Sequence, residues 1–136
     1  GGWSTLLDGI AGQAPRQNQE WLGWSGQNPE MTLDLGSVQK VHTITIYTLE
    51  DELNWIYLPE EIEILTGKEG QEFKSVQKLQ QQDIIKDYLK NKCISLKLND
   101  NCRFIKLKFN SLSSIPAGKP GASEAAWLFL SELAVD

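Results

Sequence analysis

Short runs of alternating apolar and polar residues, set apart by Gly, Pro, Asn and Asp, constrain this chain more than any other feature. Met31, Leu33 and Leu35 alternate with polar residues before Gly36, and Ile44 and Ile46 alternate with Thr43, Thr45 and Tyr47. Ile62 and Ile64 alternate with Glu61 and Glu63, and Ile94, Leu96 and Leu98 repeat the pattern, as do Ile105, Leu107 and Phe109 against Lys106 and Lys108. Side chains on a strand point to opposite faces in turn, so a period of two marks half-buried strands. Many short strands with turn residues between them specify an all-β sandwich. The exception is Gln80–Lys92, where Ile84, Ile85, Tyr88 and Leu89 have helical spacing and predict a short helix or structured loop. Residues 3–12 have room for a helical turn before Asp8-Gly9.

The length of 136 residues suits one domain, 1–136, read as a segment excised from a larger protein. Net charge is −5 and no run is dense in Lys or Arg, which argues against nucleic acid and anionic membrane surfaces. No apolar run approaches the roughly 18 residues that membrane insertion needs. Cys93 and Cys102 flank Ile94–Leu98 and the turn-like Asn99-Asp-Asn101. A hairpin centred near Asp100 would set each cysteine opposite a leucine, Leu107 and Leu98, leaving two free thiols.

Catalytic chemistry finds little support. The single histidine, His42, opens a strand and shares the alternation face of Ile44 and Ile46, the place of a structural residue. A triad would need it as base, and nothing places a serine or cysteine beside it. Phosphate-loop, dinucleotide and zinc spacings are absent. The carboxylates of Glu50-Asp51-Glu52 and Glu60-Glu61 read as a solvated loop.

Binding chemistry is better represented. Five tryptophans are many for one small core, and three of them, Trp21, Trp24 and Trp55, fall in segments without alternation, Gly12–Gly26 and Glu50–Pro59; a third such segment, Asn110–Glu124, ends just before Trp127. An indole face stacks on the C–H face of a pyranose, while nearby polar groups bond the hydroxyls. Trp55 and Tyr57 in the acidic loop, and Trp24, are the aromatic candidates, with Arg16 and Asn18 as polar partners. Trp21, Trp24 and Trp127 also suit the core. The last strand alternates Leu128, Leu130, Glu132 and Ala134 against Trp127, Phe129, Ser131, Leu133 and Val135, and with both faces largely apolar this predicts burial on both. A carboxylate there needs a partner. Glu132 and Asp8, in its Asp-Gly turn, either bind calcium, whose other ligands are carbonyls that leave no sequence trace, or accept ordinary hydrogen bonds.

Asp8-Gly9, Trp21-Leu-Gly-Trp24, Met31-Thr-Leu-Asp-Leu-Gly36, Val41–Tyr47, Arg103-Phe-Ile-Lys-Leu-Lys108 and Leu130-Ser-Glu-Leu133, in that order, resemble the coagulation factor V/VIII type C, or discoidin-like, domain. That group includes the family-32 carbohydrate-binding modules. Asn54-Trp-Ile-Tyr-Leu-Pro59 and Ile115–Phe129 are similar to C-terminal modules of bacterial family-20 glycoside hydrolases, the β-N-acetylhexosaminidases. The resemblance implies a galactose-binding-domain-like jelly-roll β-sandwich without catalytic activity, attached to a larger secreted, periplasmic or cell-surface enzyme. It implies loops at one end that bind glycans with terminal GalNAc, GlcNAc or galactose, and a structural calcium ion joining Asp8 to Glu132. The alternative expectation is a ligand-free structural domain packed against the catalytic domain of its parent.

Overall fold

The computed structural model describes residues 22–69 and 72–136, with Leu22, Ser131 and Glu132 described through their backbone alone. Six strands are β1 (Leu22–Ser25), β2 (Glu30–Leu49), β3 (Glu61–Gly67), β4 (Lys74–Gln80), β5 (Ile94–Asn110) and β6 (Trp127–Val135). One helix, α1 (Gln81–Asn91), lies between β4 and β5. The hydrogen-bonded order is β1-β6-β2-β5-β3-β4, and every neighbouring pair is antiparallel.

Two long strands organise the sandwich. β2 has 20 residues and β5 has 17, and they pair from Glu30↔Lys108 to Ile46↔Ile94. β6 joins only the second half of β2, and β3 only the second half of β5. The ribbon therefore belongs to two layers and passes between them at its irregularities, as strands that switch sheets do. One irregularity lies between Asp34 and Gln39, where Gly36 takes φ +88° and its N–H bonds the Asp34 carboxylate at 2.8 Å. The other lies between Val41 and Thr43, opposite Asn99 at φ +49°. Asn tolerates this left-handed backbone better than most residues, which suits it to a bulge.

The expected hairpin at Asp100 is thus corrected: Asn99, Asp100 and Asn101 bend one strand rather than reverse it. The Asp100 carboxylate serves the bend, accepting the Thr66 hydroxyl at 2.7 Å and the Asn101 backbone N–H at 3.0 Å. Cys93 and Cys102 stand nine residues apart along this extended run, roughly 25–30 Å by strand rise, beyond any disulfide. Burial raises both thiol pKa values, and a nearby carboxylate, Asp87 or Asp100, adds to it. The bulge also separates His42, which is exposed, from the inward face of Ile44 and Ile46 with which alternation had grouped it.

The core lies between the layers. Ile44, Ile46, Ile94, Leu96, Leu128 and Leu130 point inward from one; Met31, Leu33, Ile62, Ile64, Ile105, Leu107 and Phe109 point inward from the other, in one cluster. Burying a side chain of this size stabilises by about 1.5–3 kcal/mol. α1 closes one side by burying Ile84 and packing Tyr88, one turn on, against the cluster. Asp83 in its first turn and Lys90 in its last complement the helix dipole. It stops at Lys92, whose left-handed backbone returns an N–H to the Tyr88 carbonyl at 2.7 Å.

Candidate functional site

Two connections meet at one end of the sandwich: residues 50–60, between β2 and β3, and residues 111–126, between β5 and β6. The first is folded back on itself. Asp51 and Ile56 exchange backbone hydrogen bonds of 2.9 and 3.0 Å around a 3-10 turn at Glu52–Asn54, and the Asn54 amide donates to the Asp51 carboxylate at 2.6 Å. Trp55 follows with φ +63°, an uncommon conformation for a bulky residue. Its N–H bonds the Glu52 carbonyl and its own carbonyl accepts the Trp127 N–H at 2.8 Å, so both ends of the residue are held.

The second connection is a chain of turns. Ile115 bonds Glu124 and Ser123 through the backbone, and the Gly121 carbonyl accepts the Glu124 N–H at 2.9 Å. Tyr57, Ile115 and Ala126 form a small second core, with Leu112 against it. Three side-chain contacts lock the two connections together. The Tyr57 hydroxyl donates to the Pro120 carbonyl at 2.8 Å, the Lys119 ammonium lies 3.2 Å from the Glu52 carboxylate, and the Trp55 indole rests on Gly121. A Cβ built at Gly121 would stand 2.8 Å from that ring.

Trp55 is 39% exposed and Leu53 beside it 82%. A ring with one face on a glycine and this much exposure offers an apolar surface to a ligand. Beneath the same loops a recess of about 110 Å³ is lined by Glu50, Glu52, Tyr57, Ile85, Leu112 and Lys119, among others. Burial, then the neighbouring Glu52, raises the pKa of Glu50, while Lys119 draws it down. Burial and the same carboxylates raise that of the Tyr57 hydroxyl. Apolar walls with a few convergent polar groups are the usual makeup of a small-ligand site.

The sequence candidates distribute unevenly over this geometry. Trp55 and Tyr57 are brought together, although Tyr57 is buried and its hydroxyl is committed to the loop. Trp24 belongs elsewhere: it pairs with Leu128, shares that residue's inward face and packs against the main core, because the period of two in β1 turns it away from the loops. Arg16, Asn18 and Asp8 lie outside the described residues, as does the side chain of Glu132. Among the described residues no group of three or more His, Cys, Asp or Glu side chains is placed to hold a metal ion. No described helix is long and apolar enough to cross a membrane.

Trp127, expected inside a strand covered on both faces, is 39% exposed. It sits with Phe129 on the outer face of β6, ring centroids 5.7 Å apart, where Gly23 opposite makes room for the Phe129 ring. Lys119 and Gly121 were not singled out from the sequence. The Pro/Gly composition of their loop was the available signal.

No protein-family profile and no curated protein sequence matches the chain. Solved structures do. The family-32 carbohydrate-binding module of AlyQ, in complex with 4,5-unsaturated mannuronic acid, is 16% identical over 85% of this chain and 76% of that one, with a TM-score of 0.55. A Clostridium perfringens module of the same family, in complex with GalNAc-β-1,3-galactose, is 18% identical over 78% of this chain and 63% of that one, TM-score 0.51. A glycoside hydrolase matches at 17% identity over 82% of this chain, TM-score 0.50, and the chain spans 20% of its length. At these identities the likeness establishes the fold, an all-β sandwich shared with carbohydrate-binding modules.

Proposed function

We propose that this domain is a non-catalytic carbohydrate-binding module, and that the exposed indole of Trp55, fixed at the loop end of the sandwich, is the platform on which a sugar ring stacks. That platform is the observation on which the reading rests most. The fold supports it, since structurally similar modules hold saccharides. The acidic recess and the net charge of −5 favour a neutral terminal sugar, GalNAc, GlcNAc or galactose, over a uronate. The parent is inferred to be a secreted, periplasmic or cell-surface glycoside hydrolase, of β-N-acetylhexosaminidase type on the sequence resemblance. The module holds that enzyme at its glycan through weak contacts multiplied by avidity.

One shallow site of this kind binds in the millimolar range, about −4 kcal/mol. Titrating the labelled domain with GalNAc, GlcNAc and galactose is expected to move the Trp55 indole N–H resonance progressively. No movement with any of the three would sink the reading. A second reading, a ligand-free domain packed on its parent's catalytic domain, draws on the 82% exposure of Leu53 beside Trp55. Resonances around Leu53 would then respond to the catalytic domain and not to sugars.

A structural calcium ion joining Asp8 to Glu132 is also proposed, on the sequence pattern alone. Bound only by the native state, it would stabilise by mass action. A chelator is therefore expected to lower Tm, and an unchanged melting curve would return both carboxylates to ordinary hydrogen bonding.

A further inference from the structure

We infer that the 119–121 loop is a clamp that sets the presentation of Trp55, and that Gly121 and Tyr57 act on ligand affinity as positioning residues without touching the sugar. The inference rests on the reading of Trp55 as the stacking platform. Three contacts reach from one short loop to Trp55 and to the residues on either side of it, Glu52 and Tyr57. The Lys119–Glu52 ion pair holds the chain just before Trp55, and the Tyr57 hydroxyl on the Pro120 carbonyl holds it just after. Between them Gly121 forms the seat of the indole. Gly121 has φ +82° and no room for a Cβ, so both its backbone and its neighbour require glycine.

The need for such a clamp follows from Trp55 itself. A bulky residue in the left-handed region persists only where its surroundings over-determine it. Here the Glu52 carbonyl, the Trp127 N–H and the three loop contacts do so. A ring held in place before binding loses little freedom when a sugar arrives, and weak sites depend on that saving. Tyr57 suits the positioning role better than a contact role, being 5% exposed with its hydroxyl already donated.

The test compares wild type with Gly121→Ala and Tyr57→Phe, using GalNAc, GlcNAc and galactose as probes. Without sugar, both substitutions are expected to shift the Trp55 indole N–H resonance. Kd should rise about tenfold in Gly121→Ala and about threefold in Tyr57→Phe, reflecting lost pre-organisation. Should Gly121→Ala fail to fold, Tyr57→Phe, which removes one hydroxyl, carries the test. Unchanged Kd in the folded variants would overturn the clamp while leaving the carbohydrate reading intact. Weakened binding by Tyr57→Phe without a shift of the sugar-free Trp55 resonance would mean direct contact and would overturn it too. Absence of binding by the wild-type domain to all three sugars would overturn both readings.

Discussion

Phe109→Ala is expected to cost about 3–5 kcal/mol, whereas Lys108→Ala, one residue away, should cost less than about 0.5 kcal/mol. Phe109 is 1% exposed, faces Ile62 across β3 and continues the inward row of Ile105 and Leu107. Its truncation removes a large apolar side chain and leaves a cavity, and both add to the loss. Lys108 points the opposite way, with a side chain 44% exposed and Glu30 at 3.9 Å, a surface ion pair of little worth. A domain of ordinary stability, about 5–15 kcal/mol, would lose a large part of it at the first position and almost none at the second. Denaturant unfolding measures the difference, and Phe109→Leu supplies a milder step if the alanine variant does not fold. Equal costs at the two positions would mean a shifted register in β5, because a slip of one residue exchanges the faces.

The same alternation explains how much of the fold was legible. Ile44, Ile46, Ile62, Ile64, Ile94, Leu96, Ile105 and Leu107 are all buried as their period requires, and α1 lies within the stretch of helical spacing. What alternation hides is continuity. Gly36 and Asn99–Asn101 look like turns because turns and bulges demand the same residues, those that tolerate positive φ or bond their own backbone. Only the cross-strand pairing, Asp34↔Phe104 followed by Gln39↔Cys102, shows that both long strands continue through them. β4 escaped notice for another reason. As an edge strand it buries Leu79 and little else, and its lysines blunt an exposed edge rather than build a core.

The candidate site was legible in its residue types and less so in its geometry. Trp55 could be named because it stands in an acidic segment without alternation, and Tyr57 because it stands next to it. Their division of labour depends on contacts 63 and 67 residues away in sequence, Tyr57 to Pro120 and Glu52 to Lys119, which no local pattern encodes. Trp24 and Trp127 both suit the core in sequence, and only Trp24 turns inward, whereas Trp127 is left partly open. In β6 both faces are apolar in sequence, so composition could not say which was open at Trp127.

Trp55→Ala should abolish measurable glycan binding while leaving the sandwich close to wild-type stability. Binding energy concentrates in a few anchoring residues, aromatic ones above all, and truncating such an anchor typically costs about 2 kcal/mol or more, roughly thirtyfold or more in Kd. From a millimolar starting point that lies beyond practical detection. Stability should suffer far less, because the indole is outside both cores and 39% exposed. The left-handed backbone at position 55 costs alanine about what it costs tryptophan and cancels in the comparison, so the small loss expected, about 1 kcal/mol, is that of the ring's packing over Gly121. Trp127→Ala is the matched control, since it removes an equally exposed indole from the outer face of β6. If Trp55→Ala binds GalNAc, GlcNAc or galactose as the wild type does, and Trp127→Ala does not, the platform is the Trp127–Phe129 surface and the sugar is held by the sheet face rather than by the loops. If neither substitution changes binding, stacking on an exposed indole is not how this domain recognises glycans. If Trp55→Ala alone loses binding with its melting transition preserved, the role of Trp55 is recognition, and the energy that holds it in an uncommon conformation is spent on presenting its ring.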